Sequence, residues 1–416
     1  MTEPISRVLI IGAGHAGGAV AAALRQFGWT GSITLLGEEA HPPYQRPPLS
    51  KGWLIGRADL SSVVLRPEAY YLEQLIDLRL NTHVQAIEPE QTRVITADGA
   101  VLSYDHLIIA TGTRPRQLSI PGVELGGVST LRTLDDAKRL RQALSPGKHL
   151  AIIGGGYIGL ESAASARACG AEVTIIEREQ RLLARVAHPL LSDFFQDIHE
   201  SQGVKFVLNS ELLSLSAGAE GQVGALMLRD GRTLRCDHVL VGIGAQANDE
   251  LAQVAGIACD NGILVDEFAR TSWPGVYAVG DVTRRPLAHY ENHSIRLESV
   301  ANALEQARQA AAHICGGPPP AAEVPWFWSD QYQYKLQIAG IPFGASQCIL
   351  RGNLQGGKFA LFHLANERLV AVEAVNSPAD FLLGKMMIDR GAELDIVLLA
   401  DTECSLKSAE RGYAVV

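Results

Sequence analysis

The chain has 416 residues, 47% apolar and 19% charged, with 36 Lys+Arg against 45 Asp+Glu and a formal net charge of -9. At ~150 residues per domain this length allows two or three domains, and the composition excludes bulk disorder. The acidic balance argues against nucleic acid as the main partner, and no run of about 18 apolar residues suggests a membrane span.

The start, Met1-Thr2-Glu3-Pro4, lacks the basic segment of a signal peptide, which makes the cytoplasm the expected compartment. Val8-Leu9-Ile10-Ile11 reads as a strand. Gly12-Ala13-Gly14-His15-Ala16-Gly17 follows it and opens an Ala-rich helical stretch. A second strand, Ser32 to Leu36, leads to the acid Glu38. Asp98-Gly99 is a hairpin signal, and the apolar segment Tyr104 to Gly112 follows it. The same series then recurs. Leu150 to Ile153 enters Gly154-Gly155-Gly156-Tyr157-Ile158-Gly159, a helical stretch leads to the strand Glu172 to Ile176, and Glu177 ends it. Asp230-Gly231 and the segment Cys236 to Gly244 complete the repeat. Two βαβ nucleotide folds, each with a β-meander before its last strand, account for this.

Beyond Gly244 the pattern changes. Thr271 to Asp281 reads as a strand ending in Gly-Asp, and a helix from about Ser299 to Cys315 follows. Gly316-Gly317-Pro318-Pro319-Pro320 is a predicted linker, and Trp326-Phe327-Trp328-Ser329-Asp330-Gln331 opens a third, smaller domain.

Each GxGxxG follows a strand, opens a helix and precedes an acid. Gly12 permits the tight turn, Gly14 lets a pyrophosphate approach the backbone, and Gly17 permits close packing of helix and strand. The helix N-terminus supplies free N–H groups for phosphate. Glu38 and Glu177 would each accept hydrogen bonds from a ribose diol, and a carboxylate at Glu177 repels a 2′-phosphate, which favours NADH over NADPH even with Arg178 adjacent. The six cysteines include no CxxC pair. They are expected to be reduced and mostly buried, and no metal site is expected.

Two nucleotide folds, the second inserted in the first, imply two dinucleotides. One of them stays bound as a redox relay, and FAD fits that part. The two glycine motifs, Ala110-Thr111-Gly112 and Val276 to Asp281 resemble the two-dinucleotide flavoproteins of the pyridine nucleotide-disulphide oxidoreductase superfamily. Tyr44 to Lys51 (YQRPPLSK), Gly154 to Glu161, Arg296 to Ala303 and Trp326 to Gln331 resemble its oxygenase-coupled NADH–ferredoxin reductases, over nearly the whole chain. The pattern departs at Gly244-Ala245-Gln246-Ala247-Asn248, where relatives usually carry a proline before the asparagine.

The resemblance implies an α/β, glutathione-reductase-like fold. An FAD-binding domain (1-112 and 245-320) receives an NADH-binding domain (113-244) as an insert, and a smaller α+β C-terminal domain (321-416) follows. It implies an FAD site of Gly12, Gly14, Ala16, Gly17, Glu38, Arg46, Lys51, Val84, Ala110, Thr111, Gly112, Arg132, Gly280, Asp281, Val300 and Trp328. The implied NADH site is Gly154, Gly156, Tyr157, Ile158, Gly159, Glu161, Glu177 and Gly244. Lys51 would stabilise the charge arriving with hydride, paired with Glu161; the other reading is a structural salt bridge. Trp328 would shield the flavin and serve electron exit, or be plain core. Tyr157 is a gate or a packing residue, and His15 a phosphate contact or a spacer. His289 and His293 are read as surface residues.

The segment Glu38 to Trp53 lacks the cysteine pair of disulfide reductases and the single cysteine of peroxide-reducing relatives. Electrons would leave singly, and the resemblance implies a [2Fe–2S] ferredoxin serving a cytochrome P450 or Rieske-type oxygenase. Arg66, Arg308, Lys385 and Lys407 are candidates for a basic docking rim, with solvated surface charges as the alternative. Rival readings are a rubredoxin reductase, a redox-sensing flavoprotein resembling apoptosis-inducing factor, and a monodehydroascorbate reductase or simple NADH oxidase.

Overall fold

The computed structural model describes residues 6–318 and 320–412. The opening Met1 to Pro4 and Pro319 of the predicted linker lie outside them.

The duplicated pattern forms two five-stranded parallel sheets. The first has the order Val276–Ala278, His106–Ile109, Arg7–Ile11, Ser32–Leu36, Ile76–Arg79. The second has the order Val204–Val207, Glu172–Ile176, His149–Ile153, His238–Val241, Val128–Ser129. The central strands are buried on both faces, which is why they read as unbroken apolar runs. Each sheet has the predicted antiparallel meander, Val84–Ser103 and Leu212–Arg235, with Gly99 and Gly231 in the left-handed region at their hairpins.

Thr113–Pro115 pairs antiparallel with Ala245–Ala247, so the two crossings between the sheets run side by side. The departure from the family pattern at Ala247 is therefore a strand and not an irregular loop. Asn248, just beyond it, ties the crossing to the first fold: Nδ2 donates to Thr111 O at 2.9 Å, and Thr111 Oγ1 donates to Asn248 O at 2.7 Å.

The C-terminal part is an antiparallel sheet in the order Trp326–Gln331, Tyr334–Gly340, Arg368–Val375, Lys358–Ala365, Gln347–Asn353, with the helix Pro378–Asp389 packed on it. It is welded to the rest by one apolar cluster. Leu49 and Leu54, Ile152 and Leu160 of the second nucleotide fold, and Leu336, Phe359 and Val375 of the C-terminal sheet all belong to it.

Two expectations are corrected. All six cysteines are free, but only Cys236 is buried; the other five are half-buried, because they lie at helix ends, strand margins and turns. His289 is not a plain surface residue. Its Nε2 lies 2.8 Å from Asp389 Oδ1 and its side chain is 13% exposed, while His293 is exposed as expected.

His238, on an inner strand of the second sheet, hydrogen-bonds Ser129 Oγ at 2.7 Å, and burial lowers its pKa to about 4. The unfolded chain, with an ordinary histidine value near 6.5, takes up this proton first. The stabilisation is thus complete above about pH 6.5 and declines as pH falls toward 4, with a loss on the order of 2 kcal/mol by pH 5. Urea unfolding at pH 7 and pH 5 should show a smaller drop for His238→Gln than for the parent; equal drops would contradict this.

Candidate active site

The two glycine turns open into one continuous cleft of about 2500 Å³. They have nearly the same conformation. Gly12 (φ +108) and Gly154 (φ +107) occupy the left-handed region, and a Cβ at either would meet the carbonyl oxygen of Ala110 or Gly242 within 2.4 Å. Around Gly14 and Gly156 there is open space where a side chain would start. Neither helix, His15–Gln26 or Tyr157–Ala168, has a side-chain cap or an acid in its first turn. Both N-termini therefore offer uncommitted N–H groups to an anion.

Of the predicted site residues, Gly12, Gly14, Ala16, Glu38, Arg46, Lys51, Val84, Ala110, Thr111, Gly112, Arg132, Asp281, Val300 and Trp328 line the cleft. So do Gly154, Gly156, Tyr157, Ile158, Glu161, Glu177 and Gly244. Gly17, Gly159 and Gly280 stand behind the wall. A Cβ at Gly17 would lie 1.9 Å from Gly12 O and one at Gly159 2.3 Å from Gly154 O. These glycines let the helix close on the turn itself. Gly280 is pinned by its N–H to Gln306 Oε1 at 2.8 Å, which sets the turn that presents Asp281.

The two acids differ. Glu177 accepts Gly155 N at 2.6 Å and Glu179 N at 2.9 Å, so its carboxylate is held by the backbone. Glu38 lies one residue further from its strand, is exposed, and pairs with His83 Nδ1 at 3.1 Å. The position matching Glu177 is Gly37, where a Cβ would come 2.6 Å from the Ala13 Cβ. The second turn has Gly155 in place of Ala13, and this makes room for the acid.

Pro47–Ser50 forms a short 3-10 turn whose Leu49 is anchored in the core. The turn delivers Lys51 to the cleft. Lys51 Nζ lies 2.7 Å from Glu161 Oε2 and 3.2 Å from Pro47 O, with the Glu161 side chain only 3% exposed. Ser50 Oγ and Ser329 Oγ also donate to Glu161, at 2.5 and 2.6 Å. Opposite, Arg132 Nη2 lies 3.1 Å from Asp281 Oδ2, and Arg46 donates to Arg132 O at 2.6 Å and to Glu39 at 2.7 Å. Burial lowers the Arg132 pKa against the pull of Asp281. Burial also lowers His15, against Asp281, and raises the Tyr157 phenol well above its ordinary value. The Tyr157 ring packs edge-on against Phe327 at 4.8 Å, and the Trp326 and Trp328 rings lie 5.6 Å apart, tilted by 32°, where the C-terminal sheet borders the cleft.

The sequence reading missed Ser50, Ser329, Glu39 and Gln306. Ser50 and Ser329 lay inside motifs already singled out, and only their distance to Glu161 gives them a role. Glu39 lay beside a chosen acid, and Gln306 carried no local signal.

Buried polar atoms without partners within the chain border the cleft: His15 Nδ1, Arg132 Nε and Tyr157 Oη. With the open glycine turns, this donor set fits one dinucleotide at each turn. Two such cradles meeting in one cleft define a two-dinucleotide oxidoreductase.

The family model described as pyridine nucleotide-disulphide oxidoreductase matches residues 6–307, and that described as reductase C-terminal matches residues 326–410. A probable ferredoxin reductase of Castellaniella defragrans is 46% identical over 395 residues, 95% of this chain and 96% of that one. The putidaredoxin reductase of Pseudomonas putida is 41% identical over 404 residues, 96% of each chain. Putidaredoxin reductase in its covalent complex with putidaredoxin superposes with a TM-score of 0.95 at 40% identity, covering 97% of this chain and 98% of that one. The chain belongs to the pyridine nucleotide-disulphide oxidoreductase family, in the branch that includes putidaredoxin reductase. It is an FAD oxidoreductase that uses NAD(H), with two Rossmann-like domains and a C-terminal domain.

Two outcomes follow from this geometry. NADH should exceed NADPH in kcat/KM by about 100-fold, and Glu177→Ala should narrow the ratio about tenfold through loss of the repulsive carboxylate; a parent enzyme that prefers NADPH would contradict it. Lys51→Met should slow flavin reduction by NADH roughly 10- to 100-fold in stopped flow. An unchanged rate would leave Lys51–Glu161 a structural pair.

Proposed function

We propose that the chain is an NADH-dependent ferredoxin reductase that supplies a [2Fe–2S] ferredoxin of a cytochrome P450 or Rieske-type oxygenase in the cytoplasm. FAD, when bound, accepts hydride from NADH and releases the electrons singly. The observation that carries the reading is the make-up of the cleft: it is lined by cations, carboxylates and aromatics, and by none of the six cysteines. A thiol relay of the disulfide reductases has no seat there, and a protein-borne one-electron carrier fits that make-up. The shared length and fold with putidaredoxin reductase support the same conclusion.

Each part of the wall has a task. Residues 1-112 and 245-320 form the FAD-binding domain, 113-244 the NADH-binding domain and 321-416 the C-terminal domain. Gly12, Gly14 and the N-terminus of His15–Gln26 bind the FAD pyrophosphate, with Glu38 at its ribose. Arg46, Val84, Thr111, Arg132, Asp281 and Val300 hold the remainder. Gly154, Gly156, Ile158, Gly244 and Glu177 bind NADH, and Tyr157 borders its reactive ring. Lys51, held by Glu161, is the cation beside the hydride acceptor. Trp328 lines the cleft and would shield the flavin and border the electron exit.

The docking rim comprises Arg66, Arg308, Lys385 and Lys407. Arg66 and Arg308 line one shallow cavity of about 310 Å³ with His15. Arg308 and Lys385 both pair with Glu323, Lys385 also lies 5.5 Å from the Trp326 ring, and Lys407 is exposed. Two cations on one carboxylate leave a net positive charge beside the aromatic wall, suited to an acidic ferredoxin.

NADH-driven reduction of a panel of purified ferredoxins and rubredoxins tests the carrier. Fast reduction of a [2Fe–2S] ferredoxin is expected; a response to rubredoxins alone, or a long-lived reduced flavin with no carrier turnover, would replace the reading. Raising salt from about 0.05 to about 0.5 M should lower kcat/KM for the ferredoxin several-fold and leave NADH–ferricyanide activity nearly unchanged. Equal effects on both would remove the rim.

A further inference from the structure

We propose that Tyr332, His199, Gln331 and Ser329 form a one-way chain of hydrogen-bond donors that ends on the Glu161 carboxylate and holds it against Lys51. The four are then positioning residues for hydride transfer. The proposal rests on the reading of Lys51 as the cation beside the hydride acceptor.

The direction of the chain follows from one charge. An ionised carboxylate only accepts, so Ser329 Oγ, 2.6 Å from Glu161 Oε1, commits its single proton to it. Ser329 is left as an acceptor, and Gln331 Nε2 donates to it at 3.2 Å. With its nitrogen so used, Gln331 turns Oε1 toward His199 Nε2 at 2.9 Å, and that ring nitrogen must carry the proton. His199 Nδ1 is then a lone pair, 3.2 Å from the Tyr332 hydroxyl, which donates to it. One carboxylate thereby fixes a serine rotor, an amide orientation and a histidine tautomer.

The surroundings support this. Ser329, Gln331 and His199 are each 0% exposed, so water does not compete for these links. Burial lowers the His199 pKa to about 4, which keeps the ring neutral. Tyr332 is the first of two residues closing the hairpin between Trp326–Gln331 and Tyr334–Gly340. Its φ is +54, a conformation that costs a bulky side chain energy. That backbone accompanies a phenol seated edge-on against the His199 ring at 5.0 Å. A row of neutral dipoles with every hydrogen turned toward one anion stabilises it without adding net charge, and each link polarises the next. The chain joins the helix Pro189–Ser201 and the C-terminal sheet to the helix that carries Glu161.

The test has two arms on the FAD-loaded enzyme. Histidine-selective 15N NMR at pH 7 should show His199 as the neutral Nε2–H tautomer; an Nδ1–H or charged ring overturns the chain whatever the kinetics. In stopped flow, His199→Leu and Gln331→Glu should each slow flavin reduction about tenfold, the loss expected when one buried hydrogen bond of the chain is broken, with KM for NADH little changed. His199→Gln, which replaces the ring N–H with an amide N–H, should restore most of the rate, with thermal melts confirming folded protein. Parent-like rates in His199→Leu and Gln331→Glu, while Lys51→Met is slow, overturn the positioning role alone. An unchanged Lys51→Met removes the reading beneath it, and the proposal with it.

Discussion

A single buried carboxylate organises the centre of this molecule. Glu161 is 3% exposed, and an anion taken that far from water is tolerated only when its lone pairs are filled. Lys51, Ser50 and Ser329 fill them, and they come from the 3-10 turn of the first nucleotide fold and from the C-terminal sheet. Satisfying one charge therefore clamps three parts of the chain around the cleft. The apolar cluster of Leu49, Leu160 and Leu336 surrounds the same junction, so packing and electrostatics select one arrangement.

The two nucleotide cradles show how a duplicated motif diverges without losing its backbone. Gly12 and Gly154, and Gly14 and Gly156, repeat their conformations and surroundings closely. The acids do not. Ala13 faces Gly37 in the first copy, and Gly155 faces Glu177 in the second, so the side chain has changed sides across the same gap. The result is one acid locked by backbone N–H groups and another, Glu38, exposed and paired only with the His83 side chain. A locked acid suits discrimination between coenzymes that come and go. An exposed acid suits a cofactor gripped along its whole length, and Arg46, Arg132 and Asp281 line the same part of the cleft.

The C-terminal sheet closes the cleft with aromatic side chains, and the segment before it and the helix packed on it carry a carboxylate and a cation, Glu323 and Lys385. Trp326 lies 5.5 Å from Lys385 Nζ and 5.6 Å from the Trp328 ring, so a cation borders the aromatic wall. Glu323 ties Arg308, on a helix of the first fold, to Lys385 on a helix of the third.

Much of this was legible in the sequence, because the cues are local. A left-handed turn demands glycine at Gly12 and Gly154, a hairpin favours Asp98-Gly99 and Asp230-Gly231, and a strand buried on both faces must be apolar throughout. These constraints act within a few residues and survive in a string of letters, so the repeat, the two cradles and the family were all readable. The pairing of Lys51 with Glu161 was also expected, through resemblance. What only the tertiary structure decided is which polar side chains complete each other: Ser50 and Ser329 meet Glu161 across 111 and 168 residues of chain, and His199 meets Gln331 across 132. No periodicity encodes such meetings, because a hydrogen bond of under 3 Å depends on how whole layers pack. For the same reason the sequence could not foretell that Gly17, Gly159 and Gly280 stand behind the cleft wall, or that Arg308 and Lys385 share one carboxylate.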